Sequence, residues 1–187
     1  MVELWRLTRN RYGRAVYDRL AAAGVTATLL SEYVADPAAV DPPGSESVSV
    51  EVCDPARVSE LGAPVDELAD GEVVLGAFEG GTPLGYLFCS LDATHDIAPL
   101  ERRQSFEGAY LRRVFVAPDH RQRGVASALV VGACDWAHGR GATRASALVA
   151  RDNVPSRALF AAHGFDVVRN HRYVRVGPLS HYSVRAA

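Results

Sequence analysis

One short stretch of the sequence combines residue types that could hold a phosphate group. It reads Arg121-Gln122-Arg123-Gly124-Val125-Ala126. An apolar run ending at Pro118 precedes it, and an apolar segment of helical length follows. The first turn of a helix exposes unpaired backbone N–H groups and a partial positive charge, which together bind phosphate. Gly124 has no Cβ, so the backbone can approach a bulky anion closely. The stretch therefore predicts a phosphate cradle between a strand and a helix.

An ordinary strand–helix turn would have the same sequence. In such a turn the glycine only eases the bend, and a single glycine turn is weak evidence for a binding site. The stretch lacks the GxxxxGK[ST] spacing of a nucleoside triphosphate loop and the GxGxxG pattern of a dinucleotide fold. These two classes of nucleotide-binding protein are therefore excluded, while the cradle and the plain turn both remain open.

The elements around this turn alternate between strands and helices. The pattern predicts strands at 108–118, 143–150 and 166–176, and helices at 123–138 and 153–163. Upstream it predicts a strand at 47–52, a short helix at 54–61, a hairpin at 72–91 and a long polar connection at 92–107. Strands that alternate with helices indicate an α/β fold with at least one parallel pair.

The beginning of the chain is expected to form a separate extension. Residues 9–23 predict a helix, residues 25–34 a strand, and the proline-rich residues 35–47 a linker. We place the boundary near residue 45. The predicted organisation is an N-terminal extension over 1–45 and an α/β domain over 46–187.

Composition narrows the class of protein further. The chain has 187 residues, 48% of them hydrophobic, and a net charge of -2, so a global bias toward nucleic acid is not expected. No apolar run is long enough to span a membrane, and the N-terminus lacks the apolar core of a secretory signal. Three widely separated cysteines argue against a disulfide framework or a zinc cluster, so no metal is expected. A reducing cytoplasm fits best.

Two motifs resemble signatures of the GNAT superfamily of N-acyltransferases. Residues 121–126 match Q/R-x-x-G-x-G/A, and residues 153–165, NVPSRALFAAHGF, match N-x-x-[SA]-x-x-x-[YF]-x-x-x-GF. Two ordered motifs on a matching order of elements are more specific than either alone. The resemblance covers about residues 46–176, whereas residues 1–45 carry no comparable motif.

The resemblance implies a GNAT-like mixed sheet with central splayed strands, flanked by helices and preceded by an N-terminal helix-strand extension. It also implies that the backbone of one splayed strand pairs with the pantetheine arm of acetyl-CoA, while the turn holds the pyrophosphate. The implied cofactor-binding residues are Val114, Phe115, Val116, Arg121, Gln122, Arg123, Gly124, Val125, Ala126, Ser127, Asn153, Ser156 and Arg157. Val114 and Val116 would equally suit a hydrophobic core, and Asn153 would equally serve as a helix cap.

The implied reaction is direct transfer of an acetyl group from acetyl-CoA to a primary amine. The amine is mostly protonated at neutral pH, so a base or a water chain must take its proton. Glu107, just before the central strand, is the expected base, with His95, Asp92 and Asp96 as second choices.

The sequence departs from the family at the group that would protonate the leaving thiolate. Many members have tyrosine where this chain has Phe160, and phenylalanine cannot donate a proton. Tyr173 is the expected acid; Tyr110, water or unaided departure of the thiolate are the alternatives.

The sequence thus predicts an acetyl-CoA-dependent N-acetyltransferase. Its acceptor would be a small-molecule amine or a protein N-terminus, with no nucleic acid or membrane partner, and a homodimer is left open. The N-terminal extension would form part of the acceptor wall. A non-catalytic acyl-CoA sensor or interaction module is the alternative function, which Phe160 favours.

Overall fold

The computed structural model describes residues 25–40 and 48–187. Within them the chain forms a large mixed sheet, a two-stranded ribbon and two α-helices. The strands are β1 (Val25–Ala35), β2 (Ser49–Cys53), β3 (Val73–Glu79), β4 (Thr82–Leu91), β5 (Thr94–Ile97), β6 (Arg102–Ser105), β7 (Ala109–Val116), β8 (Ala145–Ala150), β9 (Asp166–Val176) and β10 (Leu179–Ala186). The helices are α1 (Val125–His138) and α2 (Val154–Ala162). Short 3-10 helices cover Pro37–Ala39, Pro55–Leu61, Val65–Glu67, Ala98–Leu100 and Pro118–His120.

The large sheet has two central strands that separate along their length. Its order is β10-β9-β1-β8-β7-β4-β3-β2, and every neighbouring pair is antiparallel except β7 and β8. These two parallel strands pair only where Ala109 meets Ala145 and Tyr110 meets Ser146. Beyond those pairs, β7 continues to Val116 without pairing to β8. The mixed sheet with splayed central strands predicted from the sequence is confirmed.

Strand β1 lies in the middle of this sheet. It pairs with β8 on one side and β9 on the other, and Leu30 faces both Ala150 and His171. The predicted boundary near residue 45 therefore falls between two strands of one sheet. The predicted helix at 9–23 lies outside the described residues.

Helix α1 packs its apolar side chains on one face of the sheet. Leu129 and Val131 are fully buried against strand residues such as Leu87 and Leu111. Each such side chain contributes about 1.5–3 kcal/mol when it is buried. Gly132 lets the helix approach β2, because a Cβ there would lie 2.6 Å from the side chain of Val50.

The segment predicted as a long polar connection, 92–107, instead forms a short hairpin. Strands β5 and β6 pair with each other and cover the other face of the sheet. Ile97, Leu100 and Phe106 pack there against Leu30 and other sheet residues. The sequence carries no strand signal for this hairpin, because each strand has only four residues and most of them are polar.

The remaining predicted elements agree with the structure apart from their ends. The hairpin turns at Gly80 and Gly81, whose φ angles of 58° and 88° only glycine adopts freely. Residues 54–61 form a 3-10 helix, capped by Asp54, rather than an α-helix. No helix of the described residues has both the length and the apolar character that a membrane span requires.

Candidate functional site

The turn between β7 and α1 has the backbone of an anion cradle. Gln122 and Gly124 adopt left-handed φ angles of 62° and 78°, and α1 begins directly after them at Val125. No side chain of the described residues caps this helix. The N–H groups of its first turn therefore remain available to an anion, where the helix dipole also favours negative charge.

A cavity of about 640 Å³ opens at this turn. It is lined by Val114, Val116, His120, Arg121, Gln122, Gly124, Val125, Ala126, Ser127, Asn153, Pro155, Ser156 and Leu159. The start of α1, the end of β7 and the start of α2 thus enclose one space. All the predicted cofactor residues line it except Phe115, Arg123 and Arg157.

These three residues make other contacts. Phe115 stacks on Tyr86 at 5.2 Å between ring centroids, on the sheet face away from α1. The Arg123 guanidinium donates to both carboxylate oxygens of Glu79, at 2.9 and 3.0 Å. Arg157 donates from Nη1 to the carbonyl of Arg151, at 3.1 Å. Arg121, by contrast, lines the cavity and its Nε donates to the carbonyl of Val116 at 3.1 Å.

A bulge in β7 accounts for the separation of the central strands. Arg113 has a φ of 57°, which is unusual for a residue with a side chain, and the register with β4 shifts at the same place. An extra residue in one strand bends that strand and leaves backbone groups unpaired, and bulges often lie beside functional sites. The bulge directs β7 away from β8 at the edge of the cavity.

Asn153 begins the second helix of the site. Its side-chain oxygen accepts a hydrogen bond from the N–H of Ser156 at 3.4 Å, and Pro155 occupies the first turn. This distance is long for an N–H···O bond. Asn153 therefore caps α2 only weakly, and it also lines the cavity.

Phe160 packs inside the protein and next to a tyrosine of β1. It is 3% exposed, with its ring centroid 5.1 Å from that of Phe165 and 6.1 Å from that of Tyr33. The Tyr33 hydroxyl accepts from Nε of Arg157 at 3.4 Å. No local pattern associates Tyr33 with α2, because 124 residues separate Tyr33 from Arg157.

The two predicted catalytic residues line different cavities. Glu107 is exposed and lines a cavity of about 530 Å³ at the beginning of β7. Tyr173 lies on the sheet face away from α1, and its hydroxyl donates to Glu101 at 2.5 Å. This hydrogen bond raises the pKa of Tyr173. The structure does not bring Glu107 and Tyr173 together, and their catalytic roles stay predictions.

The second-choice residues occupy different environments. Asp92 accepts from the N–H of Gly108 at 2.8 Å, and Asp96 is exposed. Burial raises the pKa of Tyr110, whose ring stacks on Phe106. His95 lies on β5 and is only 5% exposed.

The fold and the cavity together define an α/β protein in which an uncapped helix start opens into a cavity beside the splayed strand β7. The profile of the acetyltransferase (GNAT) family matches residues 46–165, and the chain belongs to this family. The resemblance that the two sequence motifs carry is thereby confirmed.

Solved structures share this fold at low sequence identity. A GCN5-related N-acetyltransferase from Kribbella flavida has a TM-score of 0.59 and 14% identity, over 86% of this chain and 62% of its own. A Drosophila protein has a TM-score of 0.60 and 11% identity, over 88% of this chain and 57% of its own. A GNAT-family protein from Novosphingobium aromaticivorans has a TM-score of 0.58 and 16% identity, over 81% of this chain and 65% of its own. This chain therefore spans less than two thirds of these proteins, and no curated protein matches it.

Proposed function

We propose that this protein is an N-acetyltransferase that moves an acetyl group from acetyl-CoA to a primary amine by direct attack. The observation that carries the proposal is the uncapped start of α1, which opens into a cavity lined by the splayed strand β7. Membership of the GNAT family supports acetyl-CoA as the donor.

The residues of the cavity fit the parts of acetyl-CoA. The N–H groups from Gln122 to Ser127 would hold the pyrophosphate, because they lie at the positive end of α1. Val114 and Val116 would bind the pantetheine arm along β7, and Asn153 would donate to it from the other wall. Arg121 adds positive charge at the exposed mouth. Three predicted residues lie outside the cavity lining and would support the residues that form it, namely Phe115, Arg123 and Arg157.

The chemistry needs three further contributions from the protein. When bound, acetyl-CoA supplies a thioester carbonyl for attack by the amine. A backbone N–H of β7, such as that of Val116, would stabilise the oxyanion. Glu107 is the base and Tyr173 the acid predicted from the sequence. The raised pKa of Tyr173 keeps its hydroxyl protonated at neutral pH, as an acid requires.

Calorimetric titration with acetyl-CoA, CoA and ATP tests the proposal. The variant Gly124→Asp places a carboxylate where the pyrophosphate would sit, so we expect it to lose acetyl-CoA binding. Gly62→Asp is the matched control, because Gly62 has a similar φ of 69° and open space around its Cα, but lies outside the cavity. Equal loss in both variants would indicate a general folding defect.

The outcomes separate the candidate functions. Binding of acetyl-CoA that is lost only in Gly124→Asp, together with turnover on an amine, would support the acetyltransferase. Binding without turnover on any amine would favour an acyl-CoA sensor. No binding by folded wild-type protein would refute both. The acceptor class (a small amine or a protein N-terminus), the homodimer and the cytoplasmic location remain predictions.

A further inference from the structure

A second cavity lies on the opposite face of the sheet, where the end of β4 and strand β5 meet Arg112 of β7. It measures about 580 Å³, and both His95 and Arg112 line it. Leu111 belongs to the core packed on α1. Successive side chains of a strand point to opposite faces, so its neighbours Tyr110 and Arg112 lie on the face away from α1. This second cavity and the cavity at the turn are therefore reached from opposite faces of β7.

The bulge of β7 lies between the two cavities. Val116 and Val114 line the cavity at the turn, Arg113 forms the bulge, and Arg112 lines the second cavity. The four steps from Val116 to Arg112 would span about 13 Å in a fully extended strand, and the bulge at Arg113 shortens this distance. A ligand held at the turn and extended along β7 would therefore present its far end at the bulge. An acceptor that approaches from the other face would enter through the second cavity.

His95 is held in this second cavity in a defined position. It is 5% exposed, and its Nε2 is hydrogen-bonded to the hydroxyl of Ser90 at 2.7 Å. Ser90 itself is 1% exposed and lies on β4 opposite Tyr110 of β7. The ring of His95 packs 5.0 Å from that of Tyr110 and 6.2 Å from that of Phe106, measured between centroids. A hydrogen bond on one nitrogen and packing on the ring fix the imidazole.

The surroundings of His95 favour the neutral imidazole that a base requires. Burial lowers the pKa of His95 below its usual value. The nearby carboxylates of Glu72 and Asp96 oppose this shift, and Arg112 adds to it. The side chain of Glu72 is fully buried and accepts from Nε of Arg112 at 2.7 Å, so its charge is compensated. Near pH 7, His95 can therefore accept a proton.

The rim of the cavity attracts cations. Four carboxylates line it, and they outnumber the two arginines. The four are Glu67, Asp70, Asp92 and Asp96. A primary amine is an ammonium ion in neutral solution, and an excess of negative charge raises its local concentration. The rim would thus collect the protonated amine next to a residue able to deprotonate it.

We propose that His95 is the general base that removes the proton of the acceptor amine, an assignment that rests on the proposed acetyl transfer. The amine nitrogen forms a bond to the acetyl carbonyl carbon while His95 takes its proton, directly or through one water molecule. The C–S bond then breaks, and its electron pair leaves on the CoA sulfur. The proton passes from His95 to the thiolate or to solvent, which restores the neutral imidazole. Ser90 is a positioning residue that holds the ring.

The pH profile of kcat/KM for four variants tests the assignment. The probe is acetyl-CoA with whichever of n-butylamine, spermidine, glucosamine and a short peptide with a free N-terminus gives the highest turnover. We expect His95→Gln to lower kcat/KM about 100- to 10,000-fold without changing acetyl-CoA affinity. His181→Gln, at an exposed position on β10, is the control and should leave both unchanged. Glu107→Gln tests the base predicted from the sequence.

The shape of the profile separates catalysis from structural damage. Below the pKa of His95, wild-type log kcat/KM should rise with a slope of about two, because His95 and the amine must both lose protons. In His95→Gln the slope should be about one throughout. Ser90→Ala should keep a slope of about two but show a smaller loss of rate.

Four outcomes would overturn the assignment. Normal turnover by His95→Gln would do so, and so would an unchanged slope in that variant. Glu107 would be identified as the base if the slope fell from about two to about one in Glu107→Gln but not in His95→Gln. Failure of the wild type to bind acetyl-CoA, or to acetylate any amine, would overturn the proposed function and this assignment with it.

Discussion

A buried carboxylate, Glu32, holds β1 to its neighbours in the sheet. It is 3% exposed, and its carboxylate accepts from Nε2 of His171 at 3.2 Å. The other nitrogen of His171 is hydrogen-bonded to the hydroxyl of Tyr182 at 2.8 Å. Arg144 and Arg169 lie 3.4 and 3.7 Å from the carboxylate oxygens. The hydrogen bond from His171 lowers the pKa of Glu32, although burial acts in the opposite direction.

The variant Glu32→Gln removes this charge and nearly preserves the shape of the side chain. Its amide oxygen can still accept from His171, so the lost interaction is the charge-assisted part of the hydrogen bond and the attraction to the arginines. Arg144 and Arg169 are 37% and 58% exposed, so water screens their part of the loss. We expect the free energy of unfolding at pH 7 to fall by about 2 kcal/mol. Truncation to alanine should cost more, about 3–5 kcal/mol.

The cost should depend on pH in a defined direction. Because the folded pKa of Glu32 lies below its usual value of 4.5, its charge stabilises the fold fully above that value. The contribution is lost as the pH falls through the lower, folded pKa. Urea unfolding of wild type and Glu32→Gln should therefore differ at pH 7, and the difference should shrink as the pH falls below 4.5. Glu60→Gln, at an exposed position, is the control. A difference that stays constant from about pH 7 to about pH 3.5 would refute this account.

Three further predictions concern the site and its supports. Gly85→Ala should cost about 1–3 kcal/mol of stability or more, because its Cβ would lie 2.4 Å from the carbonyl oxygen of Phe115; a normal urea midpoint would contradict this. Asn153→Ala should cost only about 0.5 kcal/mol, given its long capping bond, yet weaken acetyl-CoA binding about tenfold by calorimetry. Equal affinity would leave Asn153 as a cap alone. The hydrogen bond to Glu101 favours the protonated phenol of Tyr173 and so raises its pKa. Replacement of Tyr173 by phenylalanine should therefore remove one phenol that titrates above about pH 10 in ultraviolet absorbance. An unchanged titration curve would contradict the raised pKa.

Local signals in the sequence predicted the turn before α1 and the two helices beside it. The turn and α1 contain a proline, a glycine with an unusual φ and a run of apolar residues. These three signals are close together in the sequence and indicate the same strand–turn–helix junction. The same holds for α2, where Asn153 and Pro155 mark the first turn. These features depend on neighbouring residues, so their spacing predicted the elements. The phosphate-binding role of the turn was implied by the family resemblance and stays a prediction.

Features that depend on distant contacts could not be predicted. The polar sequence around His95 is typical of an exposed loop, and its burial depends on Ser90 and on Tyr110 of another strand. Strand β1 was recognised as a strand, but no local signal shows that it pairs with β8 and β9. The sequence gives no sign of the bulge at Arg113 either, because no glycine marks its positive φ.

The place of β1 also limits how the N-terminal region can be studied. A deletion of residues 1–45 would remove β1, an interior strand of the sheet, and with it Tyr33 and Glu32, which are both buried. Such a deletion would test folding rather than the proposed part of this region in the acceptor wall. Point substitutions on β1 are the appropriate experiment.

The strand order also has a consequence for synthesis on the ribosome. Ser31 of β1 bonds to Asn170 of β9, 139 residues later in the chain. While the chain grows, β1 therefore leaves the exit tunnel long before either of its neighbours exists. Both edges of β1 lack their native pairing partners until then, and unpaired strand edges are prone to aggregation. Strand β1 is thus made well before β8 and β9, so the sheet can close only after the ribosome has synthesised β9.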